Sequence, residues 1–89
     1  MPEIDKKEEI QQFLESYDFL QLGQAINRGN WRAAAMTIQR MQKKAENLEL
    51  EEFTKAFTNL RQCILHQKSE QAKNVLARIT VMRIQERKK

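Results

Sequence analysis

Pro2 is the only proline in this chain, and Gly23 and Gly29 are its only glycines. An all-β domain reverses direction every few residues and needs turn formers at each reversal. A chain this poor in them is confined to long helices joined by few links. At 89 residues it supports one hydrophobic core and not two. Apolar residues make up 40% of it and charged residues 31%, the two kinds interleaved, so a small core is feasible and disorder is not expected. The expectation is a single all-α domain over residues 1–89.

Apolar residues recur at alternating threes and fours, the period of a helix with one buried face. The pattern predicts a first helix from about Glu3 to Ser16, with Ile10, Phe13, Leu14 and Tyr17 on one face. Asp18 either caps a short second helix holding Phe19, Leu22, Ala25 and Ile26, or lies within one continuous helix. Gly29 suits the left-handed position after a helix end, and Asn30 suits the next N-cap. A third helix is expected from Trp31 to about Leu48, with Trp31, Ala34, Ile38, Met41, Ala45 and Leu48 on its apolar stripe. A fourth runs from about Glu49 to His66 on Leu50, Phe53, Phe57, Leu60 and Ile64. The last starts near Ser69, a candidate N-cap, and carries Ala72, Val75, Leu76, Ile79 and Met82. Stripes with this spacing pack at shallow angles, and short links make sequential helices antiparallel. The expected architecture is an antiparallel four-helix bundle with an additional N-terminal helix or helical extension.

The same residues exclude several functions. One Cys (Cys63) and one His (His66) cannot fill the N/S shell of a structural zinc site or build a disulfide framework. A single thiol is compatible with a reducing cytoplasm. No apolar run is long enough to span a bilayer, and Met1-Pro2-Glu3-Ile4-Asp5 does not read as a signal peptide. No glycine-rich phosphate loop is present. The expectation is a small cytoplasmic binding module, neither an enzyme nor a cofactor carrier, with no membrane partner.

Charge is placed unevenly. The net charge is +4, yet residues 1–18 hold six acids against Lys6 and Lys7, and the remaining bases lie after them. Such asymmetry implies internal complementarity or an acidic partner for the basic remainder. The stretch Arg83 to Lys89 reads as a frayed basic helix end, suited to the negative end of a helix dipole, with nucleic-acid contact as the alternative.

Gly29-Asn30-Trp31 looks like the Gly-Asp-Trp-like turn of the histidine phosphotransfer (Hpt) domains of bacterial multistep phosphorelays. Ala45-Glu46-Asn47-Leu48 likewise resembles the end of that family's motif helix. The resemblance covers Ala25 to Ile79 without a gap and implies an Hpt-like core over about residues 18–86. Gln39 stands where the family has its phosphoacceptor His in a His-x-x-Lys-Gly motif, Gln42 replaces the Lys, and Lys43 replaces the Gly. A Gln amide is no nucleophile, so the resemblance implies a member that docks without relaying phosphate. Helical geometry puts Ala35, Gln39, Gln42, Lys43 and Glu46 on one stripe, about 100° from Ile38. The family's docking surface corresponds to that stripe, and Arg32 extends it.

Other residues read more plainly. His66 lies at a helix C-terminus without the motif around it, where the dipole accounts for it. Cys63 reads as a small core or core-edge residue, and Trp31 as a plug at the bundle end against the first or last helix. Arg28, Arg32, Arg40, Lys43 and Lys44 form either a solvated face or an attraction for an acidic pocket or a phosphate backbone. The leading expectation is a protein-binding module for a response-regulator receiver or histidine kinase domain. The alternatives are a small basic nucleic-acid-binding protein, and an interaction segment completed by a partner or oligomer. Against nucleic acid, the aromatics fall mostly on core stripes and are not interleaved with the bases.

Overall fold

In the computed structural model, which describes residues 5–88, the chain forms five helices: α1 (Lys6–Leu14), α2 (Asp18–Asn27), α3 (Trp31–Asn47), α4 (Glu51–Leu65) and α5 (Ser69–Arg87). Helix α2 packs on α3, α3 on α4 and α4 on α5, while α5 closes back onto α2. This is the expected four-helix bundle with an extra N-terminal helix. Among the described residues there is no strand.

The three links inside the bundle are the same turn built three times. Gly29, Glu49 and Gln67 each take a positive φ, of 69°, 59° and 53°. In each case the next residue's N–H reaches back to a carbonyl five residues earlier: Asn30 to Ala25, Leu50 to Ala45, Lys68 to Cys63, at 2.8–2.9 Å. The left-handed residue's own N–H bonds three residues back, the Schellman pattern that satisfies the last carbonyls of a helix. Only the first of the three carries Gly, so only the first was visible in the sequence. This turn shifts two expected starts. Helix α4 begins at Glu51 rather than Glu49, because Glu49 is the left-handed residue that ends α3. Ser69 is the first helical residue of α5 and not its N-cap, because the turn closes on Lys68. Asn30 does cap α3, its Oδ1 accepting from Ala33 N–H at 3.2 Å.

The expected start of α1 at Glu3 lies outside the described residues; the helix begins at Lys6, with the Asp5 carboxylate accepting from Lys7 N–H. α1 and α2 are separate helices. The break falls at residues 15–17, where Ser16 Oγ accepts from Asp18 N–H at 3.2 Å. Asp18 is therefore the first residue of α2 and not its cap.

The core contains almost every residue the period assigned to it, with Leu14, Leu22, Ile38, Met41, Phe57, Leu60 and Ile79 fully enclosed. Tyr17 is the exception: it sits in the α1–α2 break and is 62% exposed, so it does not share the α1 face. Cys63 is buried beside Ile64. Trp31 is half-buried against the core at the Gly29 end, whereas α1 lies across the opposite end, so it does not plug the bundle against the first helix.

Helix α1 is held at both of its ends. Lys6 Nζ contacts Glu49 Oε2 at 2.7 Å, and this hydrogen bond and charge lower the Glu49 carboxyl from its usual 4.5. At the other end the Arg83 Nε–H donates to the Leu14 carbonyl, while Arg87 lies 3.8 Å from Glu15. Between these contacts Phe13 meets Phe19, Phe53 and Phe57 edge-on at centroid distances of 5.4–6.3 Å. The guanidinium of Arg83 also stacks 4.8 Å over Phe19. The basic C-terminal stretch is thus docked helix through Arg87 and not a frayed end.

Gly23, in the middle of α2, is not required by packing. A Cβ there would meet only Leu76 Cδ2, at 3.8 Å. A mid-helix glycine costs roughly 0.5–1 kcal/mol relative to alanine, so this one is retained at the expense of stability.

Three measurements check this description. Phe57→Ala is expected to lower stability by about 3–5 kcal/mol in urea unfolding; a cost below about 0.5 kcal/mol would put Phe57 outside the core. Gln67→Gly is expected to raise stability by roughly 0.5–1 kcal/mol, since glycine enters the left-handed region without the Cβ clash. Because the Glu49 pKa is depressed in the folded chain, its contribution is present above the unfolded value and lost as pH falls through the folded one. The stability difference between the parent chain and Lys6→Ala should therefore be measurable at neutral pH and vanish in acid below the usual carboxylate range.

Candidate functional site: the outer face of α3

Helix α3 buries Ala34, Thr37, Ile38, Met41 and Ala45, which fixes what faces outward. At about 100° per residue, the line opposite that buried stripe runs through Arg32, Met36, Gln39 and Lys43. Arg32, Gln39 and Lys43 are exposed, as expected. Met36, which the sequence reading did not single out, is 61% exposed between them. It was detectable as an apolar residue out of step with the Ala34, Ile38, Met41, Ala45 stripe.

The other expected residues lie on the shoulder toward α4. Ala35 and Gln42 are half-buried. The Gln42 amide donates to Thr58 Oγ1 at 2.8 Å, and that hydroxyl donates to the Thr54 carbonyl at 2.9 Å. Gln42 is therefore committed to the α3–α4 contact. Glu46 is exposed and shares a depression with Glu49, Glu51, Thr54 and Lys55, an acidic end to the face.

On the opposite shoulder, α3 meets α2 through Asp18. Its carboxylate, with a side chain only 14% exposed, lies 3.0 Å from Arg40 and 3.5 Å from Lys44. Both bases are thereby paired, with one carboxylate offsetting one of their two charges. Arg32 and Lys43 have no ion pair among the described residues, so they are the free positive charges of this face. Met36 separates two shallow depressions: one bordered by Gln39, Arg40 and Lys43, the other in the α2–α3 groove beside Gln21 and Arg28.

His66 is the exposed C-cap residue of α4, apart from this face, and its backbone N–H bonds the Gln62 carbonyl. Among the described residues no three His, Cys, Asp or Glu side chains converge as metal ligands would, and no helix is long and apolar enough to cross a membrane. Comparison with protein-family profiles, with curated proteins and with solved structures finds no match to this chain.

Proposed function

We propose that this chain is a non-catalytic, Hpt-like docking module of two-component phosphorelay signalling, which occupies a receiver or histidine kinase domain in the cytoplasm without accepting phosphate. The observation that carries the reading is the crest of α3, where two unpaired bases, Arg32 and Lys43, flank the exposed Met36 and Gln39. An apolar contact ringed by positive charge is suited to an acidic protein surface with a hydrophobic centre. Gln39 occupies the middle of the helix, where the resemblance places a phosphoacceptor, and its amide offers no nucleophilic nitrogen. Gln42 is engaged with Thr58, which leaves Lys43 as the exposed, unpaired cation beside it.

The nucleic-acid reading is the weaker one. Two of the bases it would draw on, Arg83 and Arg87, are occupied by Leu14, Phe19 and Glu15. A run of phosphate contacts needs bases free to reach the backbone.

Lys43→Glu is expected to weaken a receiver complex by about tenfold or more, since it replaces an attraction with a repulsion. The same change should leave stability within about 0.5 kcal/mol. Binding of the parent and variant chains to a panel of purified receiver domains, by calorimetry, checks the first; urea unfolding checks the second. Incubation with a phosphorylated receiver should leave no acid-labile phosphate on the chain, and phosphohistidine at His66 would refute the reading. Loss of binding only to duplex DNA, and only on reversal of Lys88 and Lys89, would replace it with the nucleic-acid alternative.

A further inference from the structure

Helix α5 closes onto α2 less tightly than onto α4 and leaves a groove of about 440 Å³ between them. Leu20, Gly23, Asn27, Leu76 and Thr80 line it. Four of the six large apolar side chains left exposed among the described residues stand along it or on the adjoining outer side of α5: Tyr17, Leu20, Val81 and Ile84, each 49–62% exposed. Helix α5 therefore has two apolar sides. Ala72, Val75 and Ile79 face the core, while Ala77, Val81 and Ile84 face away from it and are exposed, with none of the described elements over them.

The charges around this surface say what kind of partner it suits. Lys73 and Lys88 stand at the two ends of the outward stripe, and neither has an ion pair among the described residues. The acid that lines the groove, Glu15, lies 3.8 Å from Arg87. Glu70 is the acid remaining on the outward side of α5. We propose that the α2–α5 groove, with the outward stripe of α5, is a second docking surface that receives an amphipathic, acidic-flanked helix of a partner protein. Its apolar residues enter over Gly23, where the missing side chain leaves the groove open, and its acidic flanks meet Lys73 and Lys88.

A second copy of this chain is the wrong occupant on charge. Antiparallel pairing of two α5 helices about the centre of the stripe sets Lys73 of one beside Lys88 of the other, and parallel pairing sets each lysine beside its own equivalent.

The test uses the full chain, labelled with ¹⁵N, and a synthetic peptide of roughly 18 residues with leucines spaced for one helix face and glutamates at both ends. A scrambled peptide of the same composition is the control. The expected result is saturable shift changes confined to α2 and α5 amides, absent with the control. Gly23→Leu, which fills the groove, should weaken binding about tenfold or more, and so should Leu20→Glu, an exposed position whose change leaves the core untouched. Lys43→Glu should leave this binding unchanged, which separates the surface from the α3 face. Four results would overturn the proposal: no saturation up to about 1 mM, shifts centred on α3, undiminished binding by folded Gly23→Leu and Leu20→Glu chains, or the same face occupied instead by self-association or by anionic vesicles.

Discussion

Each bundle link turns on one left-handed residue, at Gly29, Glu49 and Gln67, and the antiparallel order of α2 to α5 depends on those three φ angles. A residue in that region lets two successive N–H groups fold back onto the carbonyls that a helix end leaves unsatisfied, and the following residue is already placed to start the next helix. The helices are thus joined by links of three residues. Such links leave little freedom in how neighbouring helices face one another, so which side of α3 is buried also fixes which side is presented. At two of the three links a side chain is accepted where glycine would be less strained, and Glu49 uses its side chain to hold Lys6.

The end of the bundle under α1 shows how packing removes charge from the surface. Phe13 inserts among Phe19, Phe53 and Phe57, and α1 must lie across the bundle end to bring it there. That placement exposes the Leu14 carbonyl to Arg83, whose guanidinium then covers the face of Phe19. Arg87 follows one turn later onto Glu15. Asp18 does the same for Arg40 and Lys44 on the side of the bundle. Of the acids concentrated in residues 1–18, Glu15 and Asp18 therefore pair with bases from the rest of the chain, a part of the internal complementarity that was one reading of the uneven charge.

Among the bases without an ion pair in the described residues, four stand beside exposed apolar side chains. Arg32 and Lys43 flank Met36 on α3, and Lys73 and Lys88 bracket Val81 and Ile84 on α5. Both surfaces combine exposed apolar side chains with bases that have no ion pair among the described residues. They lie on helices that are not neighbours in the bundle, since α3 packs on α2 and α4 while α5 closes on α4 and α2. Occupation of one surface therefore leaves the other accessible.

The helical stretches, most of their faces and most of the core were legible in the sequence, because a 3.6-residue period records directly which side of a helix avoids water; whether α1 and α2 were one helix or two was not. Phe57, Ile38 and Ile79 were assigned by that period and are fully enclosed. The period also carried an unread signal, in that Leu20, Met36, Val81 and Ile84 fall outside the buried stripes. Two kinds of feature were not legible. Glu49 and Gln67 give no residue-type cue for a left-handed turn, because only glycine advertises that conformation. Nor does spacing along one helix reveal which charges on another will meet it. That Gln42 bonds Thr58, that Arg40 and Lys44 share Asp18, and that Arg83 reaches Leu14 depend on distances between segments 16–69 residues apart. The sequence alone determined the helices and their buried sides; the tertiary structure decided which polar and charged groups remain free, because only packing brings distant partners within hydrogen-bonding range.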